Sequence, residues 1–396
     1  MAAPRALVIG GGIGGLAAAV ALRRVGIGAD VFERAPEIRE VGAGLSLWSN
    51  AVVALRCLGL EEAVRRSGSP VLRMRTLSAD GRTLTETSLE DVARKAGAPS
   101  LCAHRADLQR VLAEALPPSA VHTGRECTGV RQEGGRVVAR FADGREEAGD
   151  LLVGADGIRS AVRAALFGPA EPRYAGYTCW RGIARFEHPD LPPGLALFAV
   201  GRGTQMGLFQ CGPGRVYWFV TRNAPAGTTS PPGGNRRAVL DLLDRWPPVL
   251  RAAVEAADEA AVFQNDIIDR PPTRDWGTGR VTLLGDAVHA TTPNLGQGAC
   301  QALEDAVVLA DRLRGSTDIP AGLRAYEDAR RDRTAMVVKR SRALGSVFQW
   351  QNPLAVWLRN RLFTLKVGER QGVQFLETLL CHPLPELPPA GAAAAS

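Results

Sequence analysis

A short apolar run at residues 6–9 is broken by Gly10-x-Gly12-x-x-Gly15. Helical periodicity over residues 16–25 follows, and a second apolar run at 29–32 ends on Glu33. The order strand, glycine turn, helix, strand is what a parallel βαβ unit requires. Gly10 permits the tight turn, Gly12 lets a pyrophosphate approach the backbone, and Gly15 lets the helix pack on the strand. An acid at the end of the second strand can bond a ribose 2′-hydroxyl, which favours an adenosine without a 2′-phosphate. Glu33 therefore joins the glycines as a candidate cofactor contact, with Arg34 beside it. A glycine turn of purely structural purpose would not need the strand, the helix and the acid together.

Two further glycine turns follow apolar runs. Residues 281–284 end on Gly285-Asp286-Ala287-Val288-His289, followed by Pro293-Asn294-Leu295-Gly296-Gln297-Gly298 and an amphipathic stretch from Ala299 to Ala306. A carboxylate at a strand end can accept from sugar hydroxyls. A glycine-rich helix start offers backbone N–H groups and a positive dipole end to something anionic. The other turn, Gly154-Ala155-Asp156-Gly157-x-x-Ser160-x-x-Arg163, follows the run 151–153. It reads either as part of a cofactor site or as a strand-to-helix turn capped by Asp156. It is not a second GxGxxG, so no separate NAD(P)H domain is evident. Arg105 opens a predicted helix over 106–116, as a phosphate or flavin contact or as a solvated charge. His289 reads as a packing or capping group, or as a catalytic one.

Between these turns the chain alternates in the β manner. Paired strands are predicted over 68–100 with a turn at Ala79-Asp80-Gly81, further strands over 120–153, and aromatic-rich strands at 177–183, 206–210 and 216–220. Helices are predicted over 236–259, with a Pro-Pro break at 247–248, and over 300–347. The fold class is α/β: one nucleotide-binding domain of discontinuous segments (1–73, 99–173 and 269–345) interrupted by a mixed-sheet substrate domain (74–98 and 174–268). A C-terminal helical segment (346–382) follows, and residues 383–396, rich in Pro and Ala, are expected to be disordered.

Composition excludes several classes. The net charge of +7 comes almost wholly from Arg spread along the chain, with Lys only at 95, 339 and 366, so nucleic-acid binding is not expected. Seven scattered cysteines without CxxC speak against a disulfide framework, and five His without a ligand pattern speak against a metal. No apolar run has the length of a membrane span, and no export signal is evident, so a cytoplasmic location is expected.

The three glycine motifs, in this order and spacing, resemble the single-component flavin aromatic hydroxylases of the p-hydroxybenzoate hydroxylase fold. The resemblance covers nearly the whole chain. It is nearest to the salicylate, 3-hydroxybenzoate and urate hydroxylase branch, to which Tyr174-Ala175-Gly176-Tyr177 followed by Trp180 is similar. It implies FAD as cofactor, with the pyrophosphate at Gly10, Gly12 and Gly15 and the adenosine ribose at Glu33. Arg105 would sit by the flavin chain, Asp156 would support the site, and Asp286 would meet the ribityl and pyrophosphate region. The backbone from Gly296 to Gly298 and Ala299 would face the flavin pyrimidine edge, and Pro293 would lie over the reaction site. NADH or NADPH would serve as cosubstrate, and oxygen would be inserted through a flavin C4a-hydroperoxide into an electron-rich aromatic or heteroaromatic small molecule. Arg181, Gln205 and Tyr217 are the candidate polar groups on the substrate sheet. Tyr217 matches a substrate-site tyrosine of the urate branch, whereas Gln205 stands where that branch has an arginine. The aromatics Trp180, Tyr217, Trp218 and Phe219 are candidates for a pocket wall, about half of them core by strand alternation. The aromatic C-terminal stretch reads as a packed helix, a pocket lid or a dimer face; a monomer or homodimer is expected. Epoxidation of an alkene or quinolone-type intermediate, a non-oxygenating flavin reductase, and a small-molecule binder without turnover remain open on sequence.

Overall fold

The computed structural model describes residues 3–38, 43–365 and 369–389. The strand Arg5–Ile9, apolar and buried from Ala6 onward, occupies the middle of a six-stranded sheet. It pairs in parallel with Gly28–Phe32 on one side and Leu151–Gly154 on the other, Val8 lying opposite both Val31 and Val153. Val281–Leu283 continues the parallel sheet beyond Leu151–Gly154, Gly277–Thr278 closes that edge antiparallel, and Val121–His122 forms the other edge. One sheet is thus assembled from four separated stretches of chain. All three glycine turns leave the same carboxyl ends of neighbouring parallel strands, where open α/β sheets bind ligands.

A second sheet of seven strands runs in the order 263–269, 173–185, 215–223, 204–210, 195–200, 73–78, 83–88. Its pairings are antiparallel except that between Leu195–Val200 and Arg73–Ser78, so it is mixed. Strand alternation divides its side chains. Trp180, Met206, Leu208, Trp218 and Val220 point to one face and form a core with helices Gly234–Leu242 and Pro248–Glu255. Ala196, Phe209 and Tyr217, with the half-buried Phe198 and Phe219, turn to the other face and join the core of the first domain. Trp180 and Trp218, expected as possible pocket walls, belong to the far core; Tyr217 and Phe219 face the cofactor domain. The strand Leu195–Val200 and the helix Glu90–Ala96 are additions to the sequence reading.

Two long helices close the first domain, Gly298–Leu313 and Ile319–Phe348. They are tied by a buried charge cluster. Arg330 donates to Glu304 Oε2 (2.6 Å) and Asp305 Oδ1 (2.7 Å), and Arg333 donates to both oxygens of Glu304 (2.6 and 2.7 Å). Asn50 donates a further bond to Glu304 Oε1 (2.6 Å). Burial pushes both carboxyl pKa values up, but Arg330, with Arg333 at Glu304 and His289 at Asp305, outweighs it and brings each to about 2.

Residues 383–389 depart from the expected disorder. Leu387 is buried and Leu384 packs against the core, which anchors this part of the Pro-rich stretch; residues 390–396 lie outside the described residues.

Both carboxylates titrate lower in the folded chain than their ordinary 4.5 and 3.8, so their stabilisation is present above that range. Urea-unfolding stability is expected to fall as pH drops from about 4.5 towards about 2, and Glu304→Gln should flatten that slope. Removing the cationic partner with Arg330→Met should cost about 3–5 kcal/mol at neutral pH, because two carboxylates are left short of a partner.

Candidate active site

The first turn is built as its glycines demand. Gly10 has φ +109°, and a Cβ there would lie 2.4 Å from the carbonyl oxygen of Ala155. A Cβ on Gly15 would meet the carbonyl oxygen of Gly10 at 1.9 Å, so only glycine lets the helix Ile13–Arg24 approach its strand. A Cβ on Gly12 meets nothing within 4 Å, which leaves the backbone open at the helix start. Glu33 accepts from the backbone N–H of Gly11 (2.7 Å) and of Ala35 (2.9 Å), fixing the turn. Each carboxylate oxygen keeps a second lone pair for a hydroxyl. Arg34 is exposed beside it.

The third turn makes a second open helix start close by. A Cβ on Gly14 would touch Leu284 (2.8 Å) and Ala302 (3.2 Å), and one on Gly285 would touch Ala302 (3.2 Å), so the helices Ile13–Arg24 and Gly298–Leu313 pack through small residues. Neither helix has a side-chain N-cap or an acid in its first turn. Gln297, the capping position of the second, turns its amide away to Asn50 and Gln301. A Cβ on Gly298 would meet only Thr291 Cγ2, at 3.9 Å. Two positive dipole ends with uncapped N–H groups therefore sit near each other, an arrangement suited to a dinucleotide carrying negative charge at separated points. Ala299 lies in the first turn of the second helix, and Gly296, at φ +61°, ends the turn Pro293–Leu295 that leads into it.

Asp286 is exposed at the strand end, and its charge acts on Arg105. Burial lowers the Arg105 pKa; Asp286 supports its charge, while Arg181 on the second sheet opposes it. Asp156 accepts from the Ser160 hydroxyl and the Val162 N–H, so its carboxylate organises the start of helix Ala161–Phe167. His289 is buried and shares a 2.6 Å hydrogen bond with Asp305, which places it in the charge cluster behind the turn.

The three polar candidates on the substrate sheet separate. Gln205 is buried and lines a cavity of about 180 Å³. Arg181 and Tyr217 share its side of the sheet but are not among the residues that line it. Tyr217 packs against Gly44, where a Cβ would lie 2.2 Å from the ring. Burial raises the Tyr217 pKa further than Arg181 lowers it, so the phenol stays neutral at ordinary pH. Burial works against the charge of Arg181, but Cys179 and Tyr217 offset it and the pKa is raised. Among the described residues no carboxylate pairs with Arg181. Pro293 is exposed and precedes Asn294 and Leu295, which line the cavity.

The cavity walls come from three places: Met74, Phe198 and Gln205 on the sheet, Trp48 and Asn294 near the third turn, and Leu344, Phe348, Leu376, Leu379 and Leu380 on the C-terminal helices. Tyr177 donates to Asn294 Oδ1 (2.7 Å) and ties sheet to turn. Ser341 clamps the same turn through Thr292 and Leu295. Sequence reasoning gave no cavity role to Trp48 or Asn294, and offered the C-terminal wall only as the pocket-lid reading of that stretch. The adjacent acids Glu304-Asp305 inside an apolar helical run were the visible signal for the cluster behind them.

Fold and site together define a Rossmann-type dinucleotide-binding protein carrying a second, mixed sheet. A family model described as an FAD binding domain matches residues 4–341. The aurachin C monooxygenase/isomerase of Stigmatella aurantiaca is 40% identical over 382 residues, covering 96% of this chain and 98% of the relative. An FAD-dependent urate hydroxylase of Klebsiella pneumoniae is 37% identical over 382 residues, covering 96% and 100%. The crystal structure of Klebsiella pneumoniae HpxO with FAD and uric acid superposes with a TM-score of 0.90 at 34% identity, covering 96% and 97%. An arginine-to-glutamine variant of the same protein, with FAD, gives 0.89 at 34% identity, covering 96% and 99%. The chain belongs to this FAD binding domain family and is an FAD-dependent monooxygenase of the group A hydroxylase fold.

The glycines give a test that separates fold from cofactor. Gly12→Ala adds a methyl group into open space at an ordinary φ of −73°. Its apoprotein should melt like the parent while its FAD dissociation constant rises about tenfold or more, the order of one or two backbone contacts. Gly15→Ala should instead destabilise the apoprotein itself, read by the same thermal melt.

Proposed function

We propose that this enzyme uses NAD(P)H and O2 to place one oxygen atom on a flat, largely apolar, electron-rich aromatic or heteroaromatic molecule held in the 180 Å³ cavity. The carrying observation is the lining. It is dominated by Met, Val, Leu, Phe and Trp side chains, with the amides of Gln205 and Asn294 and the hydroxyls of Thr76 and Thr87 as its polar groups. Such a lining buries a hydrophobic ring system and fixes its orientation through a few hydrogen bonds. A polar purine carries more donors and acceptors than these groups can satisfy, and leaving them bare is costly. Gln205 supports the same preference, since it stands where the urate branch has an arginine.

FAD, when bound, supplies the redox chemistry of taking a hydride and activating O2. The residues that would hold it are Gly10, Gly12, Gly15 and Glu33 on the first turn, Arg105 and Asp286 beside them, and the backbone at Gly298 and Ala299. Their open, uncapped amides fit an anionic dinucleotide. The positive end of helix Gly298–Leu313 favours negative charge developing near it. The apolar walls exclude water from the reaction site. Arg181, charged and without an acidic partner among the described residues, raises the positive potential on the sheet and favours an ionised phenol or enol in the substrate. In balance, substrate, O2, NAD(P)H and a proton give hydroxylated or epoxidised product, NAD(P)+ and water.

A panel of phenols, indoles, quinolones and purines, incubated with ¹⁸O2, tests this. Apolar bicyclic heteroaromatics are expected to accelerate NAD(P)H oxidation and retain the label. Stimulated oxidation with no label in any product would point to a reductase and sink the oxygenase reading, and labelling of urate in preference to the apolar compounds would sink the substrate reading. For the labelled substrate, Gln205→Leu should raise KM by about 2- to 10-fold, the worth of one hydrogen bond of roughly 0.5–1.5 kcal/mol.

A further inference from the structure

The helix Pro353–Thr364 is inside out. Its one buried side chain is Arg359, at 2% exposure, which donates to the backbone oxygens of Gly201 (2.9 Å) and Phe348 (3.1 Å). Its outer face carries Leu354 (77% exposed), Trp357 (65%), Leu358 (47%) and Leu362 (40%), continued by Leu365 (54%). Spacings of three and four residues put these on one stripe. Trp350, just before the helix, adds a second exposed indole. A contiguous apolar stripe of this kind marks an interaction surface.

Charge says what the stripe meets. From Arg333 to Leu365 the chain contains no Asp or Glu. Within that stretch Arg333 pairs with Glu304, Arg342 pairs with Asp269 and Arg359 is buried, while Lys339, Arg340 and Arg361 remain exposed. Glu86, on the strand packed against this helix, is already tied to Arg73 and Arg75. Arg361 rises from within the apolar stripe, where a long basic side chain can bury its stem and keep its charge at a polar boundary. A second copy of the chain would bring the same basic face onto itself, because a two-fold interface repeats each residue on both sides. Indoles, leucines and cations without acids instead match the boundary of an anionic bilayer.

We propose that the outer face of helix Pro353–Thr364 docks this enzyme on an anionic phospholipid surface. Among the described residues no helix is long and apolar enough to cross a membrane, so the attachment is peripheral. The dock adjoins the cavity: Phe363 on the helix packs against Phe348 with ring centroids 6.2 Å apart, and Phe348 lines the cavity wall. A hydrophobic substrate partitioned into the lipid would therefore be met next to the pocket that takes it. The docking does not depend on which compound is oxidised.

Sedimentation of the FAD-loaded full chain with vesicles tests the proposal, without substrate or NAD(P)H, so that its failure is distinguishable from failure of the monooxygenase reading. The chain is expected to pellet with vesicles of equal parts phosphatidylcholine and phosphatidylglycerol, with a blue shift of tryptophan emission. Binding should weaken at high salt and on pure phosphatidylcholine. The double variant Leu354→Ser/Trp357→Ser removes only exposed side chains and should keep its FAD spectrum and melting temperature while losing about tenfold or more in vesicle binding. Arg361→Glu should also weaken it. A parent chain that stays in the supernatant with anionic vesicles, or a double variant that pellets equally well, overturns the proposal. So does a lipid-free dimer that the double variant dissociates and that ignores vesicles, which would assign the stripe to self-association.

Discussion

Two fully buried carboxylates, Glu304 and Asp305, meet two guanidiniums, Arg330 and Arg333, in the middle of a mostly buried helix. The rest of the site depends on this contact. It fixes helix Gly298–Leu313 against Ile319–Phe348, and Asp305 also accepts from the N–H of Gly285 (3.0 Å) and bonds His289. The third glycine turn and the helix start beyond it therefore cannot drift relative to the strand that feeds them. Isolated buried charges would be strongly unfavourable, and here each finds its counter-charge and further hydrogen bonds. These ion pairs and hydrogen bonds offset the cost of desolvation and hold the helix that begins at Gly298 in place.

That rigidity extends across the molecule. The turn after Gly285 is held from below by the charge cluster, from one side by Ser341 and from the sheet by the Tyr177–Asn294 bond. On the far edge, Asp269 accepts from both Arg173 and Arg342, joining the sheet to the long helix. Polar crosslinks thus tie the sheet to the cofactor domain, while the cavity lining stays largely apolar.

The parts legible in the sequence were those that backbone geometry dictates. Gly10, Gly12 and Gly15 stood out because each answers a separate steric demand, and the built positions show a close approach at two of them and open space at the third. The strand Val281–Leu283 and the break before Gly285 follow from hydropathy alone. What escaped were contacts between distant segments. Trp48 and Asn294 meet in one cavity although 246 positions separate them, and no local period announces that. Arg181, Gln205 and Tyr217 looked equivalent because alternation gives a side chain's face of a sheet and not its position across that face. Asp156 showed both its possible roles in sequence, and the cap is the one its hydrogen bonds display.

The C-terminal helices supply an apolar cavity wall that the glycine motifs do not. Leu344, Phe348, Leu376, Leu379 and Leu380 supply one apolar wall of the cavity, while Phe363 stacks behind Phe348 on a helix whose outward face is apolar as well. Most soluble helices resolve a conflict between a buried and a solvated face by placing apolar groups inward. In Pro353–Thr364 the inward position is given to Arg359, which satisfies the carbonyls of Gly201 and Phe348 at the end of the preceding helix and beside the sheet hairpin. With that anchor inside, Leu354, Trp357, Leu358 and Leu362 are free to face outward. The same short helix thus backs the substrate cavity and presents an apolar surface to whatever lies outside, so the chemistry of the pocket and that of the surface are matched in kind.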